Sequence, residues 1–202
     1  MTDAASPSPA VSAWNVPNAL TVVRLVLVIP FVWLLLHDGG ESSAARVGAG
    51  IVFVLASVTD FVDGDLARRR GLVTSFGKLA DPIADKALTG AALVCLSALG
   101  ELPWWVTIVI LVREIGITLL RLWVIRGGVI AASRGGKLKT LLQVVAIVLY
   151  LLPLDGALAT FRSLVMAAAV IVTIGTGLDY VARALRQRRG TSPRAGGEGL
   201  AP

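Results

Sequence analysis

The chain has 202 residues, 55% of them hydrophobic, and a mean hydropathy of +0.79, which excludes an ordinary soluble domain and suits one compact membrane domain. Its net charge of +6 does not point to nucleic acid, because the basic residues gather in short stretches between apolar runs, the pattern of membrane topology. Cys95 is the only cysteine, so an intrachain disulfide is excluded and the residue reads as a small buried apolar group.

Residues 1–13 are small and polar with no basic leader, and read as a disordered tail rather than a cleavable signal. Trp14 suits a membrane interface, and Pro17 starts a helix with Asn18 and Thr21 on its polar side. The first apolar span is 19–36, with Arg24 as an isolated cation that either snorkels to headgroups or serves a site. His37 closes the span without an evident partner and reads as interfacial. A polar turn, 38–43, leads to a second span, 44–62, which delivers Asp60 and Asp63 to its end. A basic loop, 68–78, precedes a third span, 76–99, with Pro82 near its start.

The fourth span, 104–125, carries Arg113, Glu114 and Arg121. Charges that deep need partners or a wet cavity. Arg113 and Arg121 are eight apart, close to one helix face, and two arginines against one glutamate favour an anion site over a purely structural ion pair. A second basic loop, 126–140, places Lys137 and Lys139 at the start of the fifth span, 138–152. Gly136-Lys137 lacks the glycine spacing of a phosphate loop, which excludes a nucleoside triphosphatase of that type. Asp155-Gly156 makes a turn, and the sixth span, 163–182, ends in Arg183, Arg186, Arg188 and Arg189. The expected organisation is therefore an all-α, six-helix membrane domain over 14–187, with disordered tails at 1–13 and 188–202. Both basic loops and the terminal arginines fall on one side, which the positive-inside rule makes cytoplasmic, together with both termini and the aspartates.

The stretch from Asp60 to Lys86 holds five of the chain's thirteen acidic residues: Asp60, Asp63, Asp65, Asp81 and Asp85. Carboxylates at a membrane edge are costly and mark a functional site. Asp60 and Asp63 are three apart and Asp81 and Asp85 four apart, so each pair shares a helix face. Two such helix ends brought together gather four carboxylates, whose repulsion one or two divalent cations relieve. All-oxygen ligands suit Mg²⁺ or Mn²⁺, with phosphate oxygens completing the shell. Gly64, Ala67 and Gly77 allow a ligand close to the backbone, and Arg68 is placed for a phosphate.

The pattern Asp60-x-x-Asp63-Gly64-x-x-Ala67-Arg68, then Gly77-x-x-x-Asp81-x-x-x-Asp85, resembles the signature of the CDP-alcohol phosphotransferase family, integral membrane enzymes of phospholipid synthesis. The resemblance implies a CDP-linked lipid, CDP-diacylglycerol, with its diphosphate on two metal ions and its tails in the bilayer, attacked by an alcohol so that CMP leaves. It implies that Asp60, Asp63 and Asp81 are metal ligands and that Asp85 is the general base and also a metal ligand. It places Gly64, Ala67, Arg68, Thr74 and Gly77 against the CDP moiety, adds Asn18 and Thr21 from the first span, and implies a homodimer. Arg113, Arg121, Lys137 and Lys139 suit an anionic acceptor, a phosphate monoester such as sn-glycerol 3-phosphate. Inositol phosphate is the runner-up acceptor and a lipid phosphodiester the third. Outside the family, the same carboxylates could line a divalent-cation transport path.

Overall fold

The computed structural model describes residues 16–70, 75–124 and 134–190, with the side chains at 17, 61–70, 75–82, 121–124, 134–135 and 187–190 outside that description. Every regular element among these residues is helical: α1 (Val16–Leu36), a 3-10 turn (His37–Gly40), α2 (Ser43–Arg70), α3 (Ser75–Ala98), α4 (Trp104–Val124), α5 (Arg134–Leu151) and α6 (Ala157–Gly190). Each expected span falls on one of the six α-helices, with different ends. α2 runs eight residues past the expected limit of 62, its last five, Leu-Ala-Arg-Arg-Arg, being good helix formers. Residues 68–70 and 75–78 of the first expected basic loop are therefore helical, and Arg68 stands on a helix. α5 begins at Arg134, inside the second expected loop, and α6 continues helically to Gly190. Pro82 is the eighth residue of α3 rather than part of its first turn, and its missing N–H leaves the carbonyl of residue 78 without its helical donor.

Three connections are too short for anything but antiparallel hairpins: 37–42, 99–103 and 152–156. They meet at one end of the bundle, where Gly39, Glu101 and Asp155 line a common cavity of about 220 Å³. Each turn has a left-handed glycine, and at Gly40 (φ 80°) a Cβ would also lie 2.9 Å from Leu99 Cδ1. His37 is not without partners there: its ring stacks on Trp33 at 4.8 Å and its Nε2 lies 3.3 Å from Asp38. At the same end Glu101 accepts from Arg46 at 2.6 Å and from Arg162 at 2.9 Å. Arg46 also donates to the Tyr150 carbonyl, and Arg162 lies over the Tyr150 ring. By helix direction, the starts of α1, α3 and α5 and the ends of α2, α4 and α6 lie at the opposite end.

The helices pack α1 on α2 and α3, α5 on α6, α4 on α6, and α3 on α4 and α5. Phe31, Leu35, Phe53, Leu93, Leu96, Ile110 and Ile147 fill the centre, with Ala49, Ala56, Ala92, Ala146 and Ala169 fully buried where helices approach closely. Cys95 is buried, as expected. The outside is also apolar. Trp104, Ile108, Val112, Ile115 and Leu119 recur every three or four residues along α4 and are exposed, as are Leu158, Phe161, Leu164, Ile171, Ile174 and Leu178 on α6. In water such faces would be a large uncovered patch. Among the described residues three stretches are long and apolar enough to cross a membrane: Asn18–Gly40, Ser43–Asp60 and Ala157–Arg186.

Candidate active site

The site is built at the end away from the short turns. α2 is unbroken through its acidic stretch, so residues 60 and 63 stand one turn apart on a continuous helix. α3 does the same for 81 and 85, and the two helices are in contact. Asp60 is held from α1. Arg24, 1% exposed, donates from Nη1 to Asp60 Oδ1 at 2.5 Å and from Nε to the Ala56 carbonyl at 3.3 Å. A buried guanidinium needs such partners, so Arg24 does not snorkel to headgroups. Asn18 and Thr21 are buried on the same face of α1 as Arg24, three residues apart along it.

Asp60 and Asp85 keep about half of their side-chain surface exposed, at 41% and 47%. Hard carboxylate oxygens of this kind fit Mg²⁺ or Mn²⁺. Asp63, Gly64, Ala67, Arg68, Gly77, Asp81 and Arg121 are described only as positions on their helices, and Thr74 lies outside the described residues altogether. Among the described residues, no group of three or more acidic, histidine or cysteine side chains stands together.

Beside Asp85 lies a second constellation. Glu114, only 12% exposed on α4, meets Lys139 Nζ from α5 at 2.5 Å, Arg113 Nη1 at 3.0 Å and Lys86 Nζ from α3 at 3.7 Å. Arg113 is braced by Thr176 Oγ1 at 3.1 Å and lies across Gly177, where an added Cβ would come within 3.2 Å of its Cγ. One carboxylate thus gathers three cations and leaves a positive excess. A cavity of about 70 Å³ opens here, lined by Asp85, Lys86, Thr89, Glu114, Lys139 and Gln143 among others. Of the expected acceptor cations, Arg113 and Lys139 come together through Glu114. Lys137 is exposed and is not in the cavity wall.

A family model described as CDP-alcohol phosphatidyltransferase matches residues 14–175. The chain belongs to this family. It is 58% identical over 172 residues to a protein of Mycobacterium tuberculosis (strain H37Rv) named probable phosphatidylglycerophosphate synthase, covering 85% of this chain and 82% of that one. It is 39% identical to the CDP-diacylglycerol--glycerol-3-phosphate 3-phosphatidyltransferase of Bacillus subtilis (strain 168), over 84% of this chain and 95% of the relative. A protein of that same name from Rickettsia typhi is 40% identical, over 82% and 94% of the two chains.

The matched region contains α1 to α5 whole and α6 as far as residue 175, just short of Thr176 and Gly177. Lys86 lies 4.0 Å from its neighbour Asp85 and also faces Glu114 at 3.7 Å, a partner 28 residues away that only packing supplies. Gln143 was missed although a signal existed: it is a polar residue one turn after Lys139 in an otherwise apolar run.

Proposed function

We propose that the chain transfers the phosphatidyl group of CDP-diacylglycerol to sn-glycerol 3-phosphate, giving phosphatidylglycerophosphate and CMP. The observation that carries this reading is the cationic cluster on Glu114 opening beside Asp85, which pairs an anion site with a base. The named relatives support the same reaction. Lys139, Lys86 and Arg113 are charged for a phosphate monoester, with Glu114 holding them in place between substrates. Asp85 takes the proton of the acceptor hydroxyl as its oxygen attacks the phosphorus nearer the lipid. The phosphorus–oxygen bond to CMP breaks, and CMP departs.

Asp60, Asp63, Asp81 and Asp85 would hold Mg²⁺ or Mn²⁺, two ions, with Arg24 fixing the orientation of Asp60. Bound metal supplies neutralisation of the donor diphosphate and of the leaving phosphate. Asn18, Thr21, Gly64, Ala67, Arg68, Thr74 and Gly77 would line the CDP moiety. All six helices would span the cell membrane, forming the catalytic domain 14–187 with both termini and the site cytoplasmic. The hairpin ends at one side and the basic junctions at the other support that orientation. A homodimer rests on the family resemblance.

Purified protein with CDP-diacylglycerol and Mg²⁺ should release CMP when sn-glycerol 3-phosphate is added. Release with inositol phosphate but not glycerol 3-phosphate would reassign the acceptor. No release from folded protein with any acceptor would favour a cation-transport role instead.

A further inference from the structure

Five described side-chain atoms are buried without a hydrogen-bond partner: Nε of Arg46, Arg113 and Arg162, Thr173 Oγ1, and Gln143 Nε2. The three arginines are engaged through their terminal nitrogens. Gln143 alone of the five lines the cavity beside Asp85, and it is 3% exposed. An amide donor taken out of water with no protein partner is a standing cost, retained where a ligand completes it. Gln143 follows Lys139 by four residues on α5, so the two share a face and differ in depth by about one turn, roughly 6 Å. The wall therefore runs from cations to a neutral amide, with Asp85 and Thr89 on α3 across the cavity.

Glycerol 3-phosphate has three polar groups. The phosphate suits the lysines, and the terminal hydroxyl is the nucleophile for Asp85. The secondary hydroxyl remains, and a primary amide complements it as donor or acceptor. Resting on the acceptor proposed above, we infer that Gln143 hydrogen-bonds the secondary hydroxyl of the acceptor and so selects a hydroxylated three-carbon phosphate over its deoxy analogue. A site built to bond a substrate hydroxyl rejects the analogue lacking it, because its own polar group is then left unmatched.

The test compares sn-glycerol 3-phosphate with 3-hydroxypropyl phosphate, which lacks only that hydroxyl, by CMP release from the full-length enzyme with CDP-diacylglycerol and Mg²⁺. The wild type should prefer glycerol 3-phosphate by at least about tenfold in kcat/KM. Gln143→Met should reduce the preference to within about twofold, with a melting temperature unchanged or raised, because an unmatched buried amide is replaced by an apolar chain of similar length. A purely structural glutamine would lower the melting temperature and leave the preference intact, and that result would overturn the inference. So would equal use of both acceptors by the wild type. If Gln143→Met does not fold, Gln143→Asn withdraws the amide by one methylene; it should cut the preference at least about threefold, and an unchanged preference overturns the inference. A folded wild type inactive with glycerol 3-phosphate would overturn the proposed reaction, and this inference with it.

Discussion

Glu114 attracts three cations because α3, α4 and α5 each bring one to a place that water barely reaches. Spacing along the chain pairs Glu114 with Arg113, its neighbour, and that pair exists. It does not reveal that Lys139 is buried at 6% exposure while Lys137, two residues earlier, faces outward. Lys139→Ala should therefore raise the KM for glycerol 3-phosphate by about ten- to a hundredfold while changing that for CDP-diacylglycerol by less than about twofold. Lys137→Ala should leave both within about twofold. Steady-state kinetics with each substrate varied in turn checks the contrast. Asp85→Asn should lower kcat by at least about a thousandfold while CDP-lipid binding persists, measured by equilibrium binding beside CMP release; near-normal turnover would remove Asp85 as the base.

Among the elements, two kinds of tie hold the helices in register. At the site end Arg24 joins α1 to α2, and at the turn end Glu101 joins α2 and α6 through Arg46 and Arg162. Glu101→Gln would leave two largely buried guanidinium groups short of their shared counter-charge. The expected loss is about 3 kcal/mol, seen as a lower melting temperature in detergent. Specific activity of the folded fraction should stay within about twofold, because Glu101 is at the opposite end from Asp85. The helices themselves were legible from apolar run length and turn residues. Their ends were not, because apolar runs report contact with lipid and core, whereas 61–70 of α2 is polar and helical all the same.

The whole molecule presents apolar side chains outward as well as inward, so its surface is suited to lipid rather than water. Ile171, 69% exposed near the middle of α6, should be intolerant of charge. Ile171→Arg is expected to cost roughly 3 kcal/mol of membrane stability and to reduce the fraction recovered in membranes. A surface substitution on a water-soluble protein would be nearly neutral, and such an outcome would contradict a lipid-facing α6.

Composition and spacing by themselves determined the apolar, helical character and the acidic pattern, because hydropathy and residues one turn apart are properties of the chain read locally; the likeness of that pattern to a phosphotransferase signature became family membership through the family match. Tertiary structure decided that Arg24 serves Asp60, that Lys86 and Lys139 converge on Glu114, and that Gln143 is left without a partner in the cavity wall. These depend on which helices touch and at what depth. Burial makes a charge or an amide find a partner, but the partner is chosen by packing across 25 to 36 residues of chain, and no local pattern encodes it.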